Sequence, residues 1–193
     1  MIIRQTTKEL LAASLQELAQ HKNIDKITIR EIAQNCQLTS TTFYNHFQDK
    51  YALMAWIYHR EIEPLYRQLG KVINWQALLA RGFELMYQNR QFYRNALKNT
   101  SGQSSFQKAT TDYSINSMTE YIRQQHANEL PEEVQFMIRF YVIGILYFVN
   151  EWLLHEDKLP SDELVHLLEK AMPDELRPYL CCSLSTPHKS VLD

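Results

Sequence analysis

The chain has little glycine. Four residues, Gly70, Gly82, Gly102 and Gly144, serve all 193 positions, where an average chain carries about 7%. No two lie within ten positions of each other. Phosphate cradles of the P-loop and dinucleotide kinds need clustered glycines so that backbone N–H groups can close on phosphate, and both are excluded. The scarcity also speaks against a turn-rich β fold. Cysteine is scarce as well: Cys36 stands alone, while Cys181 and Cys182 are adjacent, a spacing that bridges only with strain, so no disulfide framework follows. The longest uncharged apolar stretch, Phe140–Val149, runs ten residues, about half a membrane span. The start, MIIRQTTKEL, lacks the apolar core of a signal peptide. A reduced, cytoplasmic chain with no membrane partner is the expectation.

Chemistry-bearing patterns are missing too. The seven histidines are scattered, and His155 and His166 stand eleven apart across an expected helix break. No Cys-x2-Cys or His-x3-His spacing exists, so no metal and no cofactor is expected. No Gly-x-Ser-x-Gly elbow occurs. The acid pairs Glu61/Glu63 and Glu132/Glu133 lack helical i, i+4 spacing and read as solvated faces. An enzyme is not expected.

What is present is an ordinary globular mixture, 45% hydrophobic and 22% charged, enough for one domain or a small module joined to a larger one. The net charge is −2, unevenly spread. Residues 1–60 hold seven basic and five acidic side chains, a balance of +2, which leaves −4 for the rest. A mildly basic head on an acidic body points to two parts with different partners.

The patterning is helical throughout, and an all-α fold is expected. Residues 7–20 carry Leu11, Leu15 and Leu18 on one face. Thr28 and Glu31 have the capping-box spacing before Ile32 and Ala33, predicting a short helix of about eight residues. Thr39–Thr42 offers hydroxyl caps for a second short helix over 42–47, with Phe43 and Phe47 at i, i+4. Asp49 caps a long helix through about Leu69. Further helices are expected over 75–89, 91–98, about 104–126, 131–156 with Pro131 in its first turn, and 161–172. The residues after Pro173 read as a loose tail.

Two short capped helices behind one longer helix make the plan of a helix-turn-helix. Its apolar skeleton is Ile29, Ile32, Ala33, Leu38, Phe43 and Phe47, with Ala33 small enough for a close helix crossing. Thr39, Ser40, Thr41, Thr42, Tyr44, Asn45 and His46 would face outward. Small hydroxyls, a phenol, an amide and an imidazole donate to phosphate oxygens and reach base edges. Taken alone, the Thr/Ser cluster reads first as a helix cap, and it is the full ordered arrangement of caps, skeleton and aromatic ending that points to DNA.

Residues 7–54 resemble the DNA-binding domain of the TetR family of bacterial transcription regulators. The resemblance lies in Thr28-Ile29-Arg30-Glu31-Ile32-Ala33, in Leu38 through Phe47, and in Asp49, Lys50 and Leu53. It implies phosphate contacts from Thr28, Tyr44, His46 and Lys50, and base-edge contacts from Ser40, Thr41 and Thr42. The family usually has glycine in the turn, where this chain reads Cys36-Gln37-Leu38. A left-handed Gln37 would cost about 1 kcal/mol. The domains implied are 1–50 for DNA binding, 51–172 for ligand binding and dimerisation, and 173–193 as a flexible tail.

In the resembling family the body pairs across a twofold axis. Here Arg139–Leu153 is apolar on nearly every face and must be covered on all sides. With Ser161–Met172 it resembles the two helices of the family's four-helix interface, so a homodimer through about 131–172 on a double-stranded palindromic operator is implied. Gly144 either permits close helix approach or merely packs. Tyr87, Tyr93, Tyr113 and Tyr141 are candidate residues for an unknown small-molecule effector, although aromatic stripes more often form core. A fainter similarity, through Asn89–Tyr93 and the overall length, runs to the TetR-like regulators of dihydroxyacetone kinase operons. Some of that group act as activators with a partner protein, so repression and activation both stay open. The alternative function is an adaptor with the same fold, kept open by the modest +2 head and by the absence of Lys or Arg over 37–49.

Overall fold

A computed structural model describes residues 6–101, 105–125, 129–155 and 159–181. All regular structure among these residues is helical, apart from one isolated parallel bridge between Leu69 and Ile73. The head comprises α1 (Thr7–Leu18), α2 (Ile29–Asn35) and α3 (Ser40–Tyr44), with a 3-10 turn at Ile24–Lys26 between the first two. The long α4 (Lys50–Gln68) runs from head to body. The body continues with α5 (Trp75–Gln88), α6 (Arg90–Lys98), α7 (Phe106–Arg123), α8 (Glu132–His155), α9 (Ser161–Lys170) and α10 (Arg177–Leu180).

Local chemistry sets most boundaries. Thr28 accepts from the Glu31 amide while the Glu31 carboxylate takes the Thr28 amide, a reciprocal box that starts α2. The side chains of Thr6, Thr39, Asp49, Asn74 and Ser105 each accept a first-turn amide of the helix that follows. The expected second short helix over 42–47 starts earlier, at Ser40, because Thr39 supplies the cap, and it ends at Tyr44. At the far end of α2 the Leu38 amide reaches back to Ala33 O at 2.8 Å and the Gln37 amide to Gln34 O at 3.0 Å. Those two bonds form a Schellman stop, and Gln37 takes the left-handed conformation (φ 59°) that glycine usually fills.

Gly70 is required by its surroundings. Its φ is +73°, and a Cβ there would lie 2.6 Å from the Tyr121 hydroxyl. The turn it makes sends the chain from α4 back into α5.

The core is continuous from head to body. It runs from Leu11, Leu15, Ile32 and Phe43, through Leu53 and Ile57 on α4, to Phe92, Met118 and Ile138. Two sequence expectations change here. Residues 173–181 are not loose: a 3-10 turn at Asp174–Leu176 leads into α10, and Leu176 and Leu180 are buried. The rest of the tail, including Cys182, lies outside the described residues. The apolar stretch of ten residues belongs to a 24-residue helix whose hydropathy and length are, by themselves, enough to cross a membrane. That helix packs on α6 and α7. One face is buried through Val134, Ile138, Tyr141, Val142, Ile145, Leu146, Val149 and Leu153, while Phe136, Phe140, Ile143, Tyr147 and Phe148 are exposed.

Candidate nucleic-acid interface

The head holds its two short helices from inside. Ser14 on α1 donates to Ile32 O at 2.7 Å, and Asn35 on α2 donates to Ser14 Oγ and Glu17 Oε2. Ala33 is fully buried, as a close crossing demands. Phe43 is also fully buried and packs on Phe47, which in turn meets Trp56 of α4 edge-on. With Phe43 fixed inward, helical geometry turns the neighbouring side chains out. Thr39, Thr41, Tyr44, Asn45 and His46 are exposed, and Ser40 and Thr42 are half-buried. Tyr44 stands 58% exposed with its ring edge on Phe43.

These side chains differ in what they have left to give. Thr39 Oγ accepts from the Thr42 amide at 3.1 Å and lies 2.9 Å from Thr42 Oγ, so both hydroxyls are already used in the cap. Thr28 is used likewise, since its hydroxyl donates to Glu31 Oε2 at 2.9 Å. Among the described residues, Ser40, Thr41, Tyr44, Asn45 and His46 make no side-chain hydrogen bond, and they form one outward polar surface on and just after α3.

Lys50 departs from the role that the resemblance implies. Its Nζ donates to Ile24 O, Asp25 O and Ile27 O at 2.8, 2.8 and 2.9 Å. All three ammonium protons are thereby used to tie the α1–α2 connection to the start of α4. Burial shifts its pKa downward, with Asp25 opposing. A cation that the sequence reading did not select, Arg30, is exposed in the first turn of α2. Its signal was its place one residue after an N-terminal apolar anchor. The Glu31 carboxyl is held down to about 2, chiefly by its hydrogen bond from Lys22 and then by the Thr28 amide, so a fixed negative charge already sits at the α2 N-terminus.

The four body tyrosines are not gathered into one site. Tyr141 is buried between Trp75 Nε1, from which it accepts at 3.1 Å, and Leu168 O, to which it donates at 2.8 Å. Tyr93 is buried and donates to the Glu61 carboxylate. Tyr113 stacks on His59 with ring centroids 3.8 Å apart. Tyr87 lies 48% exposed against Trp152, on an open cleft of about 700 Å³ that Arg90 and Arg94 also line. A smaller cavity of about 60 Å³ sits inside the body among Tyr58, Tyr66, Trp75, Ser114, Met118 and Val142. None of the four candidate tyrosines lines it. Tyr58 and Ser114 share a hydrogen bond at 2.7 Å, and burial pushes the Tyr58 phenol up to about 12.

Comparison with known proteins adds to this geometry. The profile described as "Bacterial regulatory proteins, tetR family" matches residues 10–56, and that described as "Transcriptional regulator C-terminal region" matches residues 73–174. The dhaKLM operon transcriptional activator DhaS of Lactococcus lactis subsp. lactis (strain IL1403) is 26% identical over 88 residues, 46% of this chain and 47% of the relative. The matched segment thus spans about half of that relative's length. A solved structure of the dihydroxyacetone kinase operon activator DhaS superposes with a TM-score of 0.64 at 17% identity, covering 90% of this chain and 98% of that one. A TetR regulator from Streptococcus agalactiae 2603V gives 0.60 at 18% identity, covering 86% of this chain and 94% of that one. NalD, the secondary repressor of an efflux pump in Pseudomonas aeruginosa, gives 0.56 at 16% identity, with the same coverages. Identities this low speak for the fold alone. A helix-turn-helix head and an all-helical body, each matched by its own regulator profile, make this chain a member of the TetR family of bacterial transcription regulators, which bind DNA and are not enzymes.

Proposed function

We propose that the protein works in the cytoplasm as a homodimer on a palindromic operator, with its DNA affinity tuned by a small ligand or a partner protein. The observation that carries the dimer is the bare face of α8. Phe136, Phe140, Ile143, Tyr147 and Phe148 are each more than half exposed, and Leu167 of α9 is nearly so. An apolar patch of this kind on a monomer marks an interaction site. Gly144 lies on the same helix, and a Cβ there would meet nothing within 4 Å, which leaves room for a second helix. One α3 reads few base pairs, and twofold pairing at about 34–36 Å reads two half-sites in successive major grooves.

In this reading Ser40 and Thr41 meet base edges, and Tyr44, Asn45 and His46 meet phosphate or sugar. Thr28, Thr39 and Thr42 contribute through the helix starts that they cap, and Lys50 through the connection that it holds. The smaller cavity is walled mostly by apolar side chains, with the Tyr58 and Ser114 hydroxyls paired to each other, which suits a small, mainly apolar effector. The Lactococcus relative is named as an activator of a dhaKLM operon, which makes activation a reading of equal standing with repression.

The test is binding to DNA flanking its own gene, by fluorescence anisotropy at fixed salt. A palindrome bound at least about a hundredfold more tightly than its scrambled copy supports the reading. Equal micromolar binding to any sequence overturns it and favours the adaptor, which the absence of cations over 37–49 and the internal engagement of Lys50 keep in view. Sedimentation gives the second arm. Phe140→Glu should convert a dimer to a monomer of unchanged helicity, and an unchanged sedimentation coefficient refutes the α8 interface.

A further inference from the structure

Head and body are joined covalently by α4, and they meet again at a polar seam far from it in sequence. Asn95, in the middle of α6 and only 9% exposed, donates through Nδ2 to Ala19 O at 2.9 Å and Lys22 O at 2.8 Å. Its Oδ1 accepts the Ile24 amide at 2.9 Å. All three partners lie where α1 ends and the 3-10 turn begins. The last carbonyls of a helix have no intrahelical donor, and here a side chain of the body supplies one. Asn99, one turn further along α6, donates to Asn95 Oδ1 at 2.9 Å and fixes which way the amide points.

We infer that Asn95 is a positioning residue that sets the angle of the DNA-binding head on the body. The connection 19–27 is gripped from both sides, by Asn95 of α6 and by the Lys50 ammonium at Ile24 O, Asp25 O and Ile27 O. Asn95 and its three partners are 71–76 positions apart in the chain, so the grip exists only when head and body are docked. A rotation of the head on α6 must break three hydrogen bonds, two of them buried and one partly so, and each broken buried bond would leave an unpaired polar group. Arg60 of α4 provides a smaller second tie, bridging to Glu9 of α1 at 2.5 Å, but it is partly exposed and free to follow a moving partner. In a dimer the head angle decides how far apart the two recognition helices stand. Asn95, which would touch no DNA, therefore selects the spacing between half-sites. That last consequence rests on the proposed operator reading, whereas the docking itself does not.

The experiment separates the two. Spin labels are placed on the exposed positions Arg30→Cys of α2 and Lys108→Cys of α7, with Cys36, Cys181 and Cys182 replaced by serine and the labelled chain diluted into unlabelled protein. The parent should give one narrow distance distribution without DNA. Asn95→Ala should broaden it while far-ultraviolet helicity is kept, and Asn95→Asp, which retains the acceptor but loses both donors, should do the same. Narrow, parent-like distributions in both variants overturn the inference. Should neither variant fold, the unmodified protein still decides. The Ile24 amide must exchange with solvent as slowly as the amides of α6, and exchange at the rate of an open loop refutes the grip. On DNA, a library of half-site spacings should show one preferred spacing for the parent and loss of that preference for Asn95→Ala with the half-site sequence retained. A uniform loss across all spacings would mark Asn95 as merely stabilising.

Discussion

The head and the body use their polar side chains in opposite ways. On the outward surface of the head they close helix starts within three or four residues of themselves or stand in solvent, as with Thr28, Thr39, Thr41 and Tyr44, while Ser14, Asn35 and Lys50 reach across it. In the body the phenols are sunk among apolar neighbours and reach partners far along the chain. Tyr141 finds Trp75 at a separation of 66, Tyr93 finds Glu61 at 32, and Tyr58 finds Ser114 at 56. The head thus keeps its hydroxyls and phenol around α3 for the outside, while the phenols of the body fix its inner arrangement.

Four substitutions would break or sharpen that contrast. The largest effect should come from Phe43→Ala, which empties the middle of the head. Loss of a fully buried aromatic ring costs about 3–5 kcal/mol, read as a lower urea midpoint, and a head that tolerates it is not organised around Phe43. Gly70→Ala comes next, at the start of the body. The left-handed backbone alone costs about 1–2 kcal/mol, and the clash with the Tyr121 hydroxyl adds to it. A thermal midpoint unchanged by this variant would contradict the turn. Tyr44→Ala should leave stability within about 0.5 kcal/mol while weakening DNA binding by roughly tenfold across all sequences, as loss of a phosphate contact does. Equal binding would remove Tyr44 from the interface. The smallest shift belongs to Gln37→Gly, a gain of about 0.5 kcal/mol once the entropy of a freer unfolded chain offsets the relief of the left-handed strain. A loss there would mean that the Gln37 side chain has a role beyond the turn.

The same contrast explains what the sequence could show. The capping box at Thr28 and Glu31, the Asp49 cap and the left-handed Gln37 depend on neighbours within five positions, and each was legible as spacing. So was the double character of α8, because a helix apolar all round must be covered twice. The fates of Lys50, Tyr93 and Tyr141 were not legible, since each is decided by atoms 23 to 66 positions away. Leu176 and Leu180 were lost for a related reason: prolines nearby suggested fraying, while the turn that carries Leu176 packs on the earlier α8 and α10 packs on that turn. The exposed residues of α3 were legible because they depend only on which way Phe43 points.

The grip of Lys50 on three carbonyls has a consequence for the ion atmosphere around DNA. The head's formal +2 counts charges that are already occupied: Lys22 by Glu31, Lys26 by Asp25, Arg60 by Glu9, and Lys50 by peptide dipoles. Among the described residues of the head, Lys8 and Arg30 are the cations held by neither a carboxylate nor a carbonyl. Those two charges, with Arg4 beyond the described residues, make at most three on each of two heads, and the logarithm of affinity should fall with the logarithm of salt at a slope of roughly −5 or shallower. A steeper slope would mean that Lys22 or Lys26 changes partners when DNA arrives. At the shallow slope this regulator would hold its operator largely with hydroxyls, a phenol, an amide and an imidazole, and its grip on DNA would survive changes in cellular ionic strength that loosen a more cationic head.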